Sequence, residues 1–171
     1  SIAKLVRENV FTIGLDLGDD AYRLKYLLSE SELIGAKLVQ GDVTDAEALD
    51  RLVVENGISH ILHLAALQVP FCRSNPVAGA RVNVVGTANV FEVARRRRDL
   101  IKRVVYASSV AVYGPKKYYG SGLVGHGAVR RPETHYGAYK QVNEITGNIY
   151  WVDEGVSSIC LRPHTVYGVG R

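Results

Sequence analysis

Methionine is absent from all 171 residues, position 1 included, and the chain opens directly in a helical pattern at Ser1-Ile2-Ala3-Lys4-Leu5-Val6. That is expected of a piece of a longer protein, in which a leader ahead of Ser1 would be out of view. No run of 18 apolar residues occurs, so no helix is expected to span a membrane, and a membrane is not an expected partner. Cysteine is scarce. Cys72 and Cys160 lie far apart without metal-ligand spacing, which argues against a disulfide framework or a metal site and makes a reducing, cytoplasmic compartment the expectation. Low-complexity tracts are also missing, and 47% hydrophobic content suits one soluble domain with a sizeable core.

The formal charge is +4, and much of the excess sits in Arg95-Arg96-Arg97-Arg98 with Lys102 and Arg103. Such a cluster could meet phosphate. It closes an apolar-periodic helix, however, where cations complement the negative end of the macrodipole. Nucleic acid is therefore not an expected partner.

Along the chain the hydrophobic period alternates between that of helices and that of strands. Residues 2–9 read as the end of an amphipathic helix, 10–16 as a strand ending on Asp16, and 20–28 as a short helix. A second strand, 36–40, leads into Gly41-Asp42-Val43, and Thr44 with Glu47 makes a capping-box pattern for a helix over 45–55. The third strand, 58–64, is closed by Ala65-Ala66. Asn75-Pro76 enters a helix whose Val77, Ala80, Val84, Ala88 and Phe91 share one face to about Arg97. A fourth strand over 102–107 ends in Ser108-Ser109, and 114–134 is a long loop of the length that tends to be functional. A helix from Tyr136 to Asp153 is stopped by Gly155, and a fifth strand over 157–161 leads into Arg162-Pro163. Strands alternate with helices and no hairpin signal joins them. The pattern predicts an α/β fold with a doubly wound, Rossmann-like parallel sheet that binds ligands beyond its C-terminal strand ends.

Several residues with chemistry to offer fall at such ends. Tyr136 and Lys140 are four apart at the start of a helix, one turn apart on one face. An ammonium there favours the phenolate and lowers a tyrosine pKa from about 10 towards the range in which it exchanges protons with an alcohol. The same spacing also suits a half-buried aromatic beside a solvated amine. Ser109 converges on this pair across the sheet edge, chosen over Ser108 by its spacing to Tyr113-Gly114. Asp16 could accept hydrogen bonds from an adenine ribose, or be a loop acid; Asp42-Val43 could edge the adenine, or form the turn into the next helix.

The stretches Gly41-Asp42-Val43-Thr44-Asp45, His63-Leu64-Ala65-Ala66, Val82-Asn83-Val84-Val85-Gly86-Thr87, Ser108-Ser109-Val110-Ala111-Val112-Tyr113-Gly114, Tyr136-x-x-x-Lys140 and Leu161-Arg162-Pro163-x-x-x-Tyr167-Gly168 together resemble the extended short-chain dehydrogenase/reductases, specifically the NAD-dependent epimerase/dehydratase family. The resemblance runs in order through nearly the whole chain. It implies that Tyr136 is the catalytic acid/base, that Lys140 holds the nicotinamide ribose and tunes Tyr136, and that Ser109 orients the substrate hydroxyl. It further implies that Asp16 binds the adenosine ribose, Asp42 and Val43 the adenine, Ala65 and Ala66 the middle of NAD, and that Pro163 packs by the nicotinamide. Asn83 becomes a structural or cofactor-side residue, and His63 a packing residue at its strand end.

Members of that family begin with a strand and a glycine-rich loop that receives the pyrophosphate, and they carry a smaller C-terminal substrate domain. Residues 1–171 contain neither, so they are expected to form a partial NAD(P)-binding domain that alone binds NAD poorly and turns nothing over. Dehydratases of the family place an Asp-Glu pair after the catalytic Ser/Thr. Here those positions are Val110 and Ala111, which cannot carry a proton. What remains is an epimerase or dehydrogenase acting on a sugar, a nucleotide sugar or a related alcohol, with a homodimer through helices such as 76–97 and 136–153. A non-catalytic NAD(P)-binding regulator on the same scaffold is the alternative, though such relatives often lose the Tyr/Lys pair.

Overall fold

The computed structural model describes residues 1–168, which fall into two compact units, one of Ser1–Asp42 with residues 165–168, the other of Val43–His164. The first unit pairs β1 (Thr12–Asp16) with β2 (Ala36–Gln40) in parallel, Thr12 opposite Ala36 and Asp16 opposite Gln40. Three short helices accompany them: α1 (Ile2–Arg7), α2 (Tyr22–Lys25) and α3 (Glu30–Leu33). Leu28 is the buried hydrophobic of this unit among the described residues, whereas Phe11 and Ile34 are 65% and 87% exposed.

The second unit holds a three-stranded parallel sheet in the order β3 (His60–His63), β4 (Arg103–Ala107), β5 (Ser158–Leu161). Between the strands run α4 (Ala46–Glu55), α5 (Val69–Ser74), α6 (Pro76–Ala80), α7 (Gly86–Arg96) and α8 (His135–Glu154). Its core forms where two periodicities meet. Val90, Phe91, Val93 and Ala94 line one stripe of α7, and Val104 and Tyr106, two apart on β4, point into it. The Phe91 ring stands edge-on to Tyr106 at 5.2 Å and stacks on Tyr150 at 5.4 Å.

Parallel strands alternating with helices meet the expected fold class, with local differences. The cap of α4 is Asp45, whose carboxylate accepts from the Ala48 amide at 2.9 Å, so Thr44 lies one residue outside the expected box. Aspartate caps as well as threonine does, and here it sits next to the first helical residue. The 76–97 helix contains a π-helical turn over Arg81–Val85, and α5 precedes it unforeseen. Within the long loop, Tyr119 Oη reaches the carbonyls of Tyr113 and Val129, and Arg131 and Lys117 lie over the Tyr118 ring. Those tyrosines tie the loop to itself.

Candidate active site

The 20-residue α8 starts where Thr134 Oγ1 accepts from the Gly137 amide at 3.0 Å, and it ends at Gly155 in the left-handed region, φ 67°. Gly137 has a second task. A Cβ there would sit 2.5 Å from the Ala111 carbonyl oxygen, so only glycine lets the first turn of α8 rest on the 3-10 turn Val110–Val112 that follows Ser109. This contact brings the Tyr136 end of α8 to the Ser109 end of β4.

Lys140 is 2% exposed, and its ammonium donates to the Ala107 carbonyl at 2.7 Å, with Nζ 5.6 Å from the Tyr136 ring centroid. A solvated amine beside an aromatic is therefore not what the spacing encodes. Burial pushes the Lys140 pKa down to about 8, which leaves it largely charged at neutral pH. Tyr136 is 9% exposed. Ser109, in extended backbone, accepts from the Ala111 amide at 3.2 Å and caps the 3-10 turn. Ser108 faces elsewhere: it is buried, and its hydroxyl donates to Glu144 at 2.6 Å. Of the two serines, only Ser109 retains a partly open side chain at this strand end.

Other candidates in this unit divide by role. Ala65 is exposed and Ala66 partly so at the end of β3, and Asn83, fully buried, clamps the segment beyond them. Its side chain accepts from the Leu67 amide at 2.7 Å and donates to the Leu67 carbonyl at 2.9 Å. Pro163 is half-buried, and its carbonyl accepts from Val110 at 3.2 Å. Val43 belongs to the core beneath Gly86, its carbonyl held by Asn89 Nδ2 at 3.2 Å. His63 is buried, with Nε2 3.0 Å from Thr87 Oγ1; that hydroxyl already donates to the Asn83 carbonyl at 2.7 Å, so the ring donates, and burial, then the Lys140 charge, favours its neutral form. In the first unit, Asp16 is exposed at the end of β1, where its carboxylate accepts from the Gly18 amide at 3.2 Å, and Asp42 follows β2.

One residue that the sequence reading passed over stands out. Glu144 lies one further turn along the Tyr136/Lys140 face, and Lys140-x-x-x-Glu144 was the signal that could have found it. Its carboxylate is held by Arg162 Nε and Nη2, both at 2.7 Å. A cavity of about 700 Å3 runs along β5 and α8 past Glu144 and Trp151, and none of Ser109, Tyr136 or Lys140 lines it. Among the described residues no group of three or more His, Cys, Asp or Glu side chains could hold a metal ion, and no helix is long and apolar enough to cross a membrane.

A family model described as the NAD dependent epimerase/dehydratase family matches residues 4–171. UDP-glucuronate 4-epimerase 2 of Arabidopsis thaliana is 30% identical over 97% of this chain and 38% of its own length. Uronate dehydrogenase of Pseudomonas syringae pv. tomato is 32% identical over 71% of this chain and 41% of its own. Among solved structures, UDP-glucose 4-epimerase from Brucella ovis in complex with NAD superposes with a TM-score of 0.77 at 26% identity, covering 94% of this chain and 46% of that one. The chain thus spans less than half the length of each of these three relatives.

Proposed function

The chain belongs to the NAD-dependent epimerase/dehydratase family, and from that premise we propose that it is the catalytic half of an enzyme that moves a hydride to and from a sugar or nucleotide-sugar carbinol. The observation that carries this reading is the buried ammonium of Lys140 beside Tyr136, fixed to the strand end next to Ser109. A buried charge is costly, and one set beside a phenol at a strand end supports a reacting site.

NAD, when bound, accepts the hydride and can return it. In the second unit the residues present suit it: small Ala65 and Ala66 leave the backbone open at the end of β3, Lys140 offers an ammonium and Pro163 an apolar face; taken by itself, Asp16 of the first unit is an exposed carboxylate of the kind that takes ribose hydroxyls. That carboxylate favours NAD over a cofactor with a 2′-phosphate. Asp42 and Val43 would edge the adenine. Ser109 Oγ orients the substrate hydroxyl, Tyr136 Oη takes its proton as the carbon gives up hydride, and the Lys140 charge stabilises the phenolate that prepares this step. Val110 and Ala111 supply no acid for water elimination, and the Glu144 carboxylate, one turn beyond Lys140, is already bound by Arg162 and Ser108. Reversible oxidation is favoured over dehydration. The free thiols Cys72 and Cys160 suit a cytoplasmic enzyme. Exposed Val142, Ile145, Ile149 and Val152, spaced three and four apart on α8, suit a homodimer.

The test uses the full polypeptide that carries this chain, screened with nucleotide sugars and sugar acids. NADH release is expected of a dehydrogenase, and isomerised product without it of an epimerase. Tyr136→Phe is expected to lower turnover by at least about a hundredfold while NAD still binds. Retained turnover would remove Tyr136 from the mechanism.

A further inference from the structure

Glu144 is the centre of a buried ionic cluster that proton transfer does not use. Its side chain is 8% exposed and that of Arg162 12%. Oε1 accepts from Ser108 Oγ at 2.6 Å and Arg162 Nε at 2.7 Å; Oε2 accepts from Arg162 Nη2 at 2.7 Å and lies 3.0 Å from Arg130 Nε. Arg162 Nη1 continues to the Tyr113 hydroxyl and the His126 carbonyl. Burial alone would push the Glu144 pKa up, but the hydrogen bonds from Arg162 and then Ser108 outweigh it and hold the group ionised.

The residues joined here sit next to those of the candidate site. Glu144 is one turn beyond Lys140, Ser108 precedes Ser109, and Arg162 precedes Pro163. Ser109 is extended at φ −163°, ψ 154°, and consecutive side chains of extended backbone point to opposite sides. Pinning Ser108 inward thus sets which way Ser109 points. Backbone bonds from Ser108 to Leu161 at 2.7 Å and from Val110 to Pro163 at 3.2 Å fix the same segment to β5 and the chain beyond it, but they leave its distance from α8 unset. Lys140 on the Ala107 carbonyl and Gly137 against Ala111 hold α8 to this strand end from the backbone side; the Glu144 carboxylate adds the bond from α8 to the Ser108 side chain itself and, through Arg162, to the residue that follows β5. Buried ion pairs add little stability over well-packed apolar residues, so this one is better explained by the geometry it imposes.

We propose that Glu144, acting through Arg162 and Ser108, is a positioning residue that sets Ser109 against the Tyr136/Lys140 turn of α8. This rests on the roles given above to Ser109, Tyr136 and Lys140. Its test, in the full polypeptide, compares Ser108→Ala, Glu144→Gln and the double variant, with turnover counted per NAD-binding site. Ser108→Ala is expected to lower kcat roughly tenfold, as loss of one hydrogen bond to a charged group does, with KM and NAD affinity within about twofold. Glu144→Gln is expected to lose at least as much, and the double variant no more than Glu144→Gln alone, because both cut one tether. Without NAD, amide exchange over residues 108–113 is expected to quicken in Ser108→Ala while β4 is unchanged. Unchanged kcat per site together with unchanged exchange would overturn the proposal, even if the variant melts lower. Should Glu144→Gln not fold, Ser108→Ala decides. If Tyr136→Phe retains turnover, the catalytic reading fails, and the exchange of 108–113 decides the tether by itself.

Discussion

Lys140 and His63 are both buried cationisable side chains, and the fold treats them in opposite ways. Lys140 finds the Ala107 carbonyl and remains charged until the pH nears 8. His63 finds the Thr87 hydroxyl, and burial, followed by the Lys140 charge, pushes its pKa down to about 4 from 6.5. Between those two values the unfolded chain binds a proton that the folded chain refuses, so acidification favours unfolding. The contribution of the neutral ring is complete above about pH 6.5 and fades by up to ~3 kcal/mol as the pH falls to about 4. His63→Gln keeps a donor near Thr87 and cannot protonate; urea titrations from pH 7 to 4 are expected to show the loss for His63 and a flatter profile for the variant. Gly137 is the other residue on which the site turns. Gly137→Ala would press a methyl on the Ala111 carbonyl, and a loss of ~1–3 kcal/mol is expected in denaturant unfolding.

At the scale of elements, the arginine run shows what a helix end can hide. Arg95 pairs with Glu92, Arg96 with Glu92 and Glu47, Arg97 with Asp50, and Arg98 with Glu154. Each guanidinium already has an acid. Gel-shift assays at physiological salt are accordingly expected to give no DNA affinity. The pairs are unequal, since Arg97 grips Asp50 with two bonds of 2.8 and 2.6 Å whereas Arg98 reaches Glu154 at 3.5 Å in an exposed setting. Arg97→Gln is expected to lower Tm, and Arg98→Gln to leave it within error. The location of this run at a helix end was legible in the sequence, because α7 has a clear apolar period. Its partners on α4 and α8 were not, because nothing local records which helices lie alongside. α5 was missed for a related reason: six residues carry too little period to separate from loop.

For the whole molecule, the contrast is between the two units. Residues 43–164 surround Phe91, and Phe91→Ala is expected to cost ~3–5 kcal/mol because the ring touches both β4 and α8. Residues 1–42 bury little beyond Leu28 and Thr12. Native-state amide exchange is therefore expected to be faster in β1 and β2 than in β3, β4 and β5, and equal protection in both sheets would refute this.

The sequence by itself determined the class of fold, because alternating strand and helix periods with no hairpin signal leave a parallel sheet as the outcome. It also marked Tyr136, Lys140 and Ser109 as candidates and, by the family resemblance, put Val110 and Ala111 at the positions where dehydratases are expected to carry acids. Those are facts of order and spacing, which a linear chain records. The tertiary structure alone decided that Lys140 is buried on Ala107 rather than solvated, that Ser108 turns inward and leaves Ser109 outward, and that Glu144 and Arg162, 18 residues apart in sequence, meet beneath them. Burial and partner choice depend on segments distant in sequence arriving together, and no local pattern carries that information.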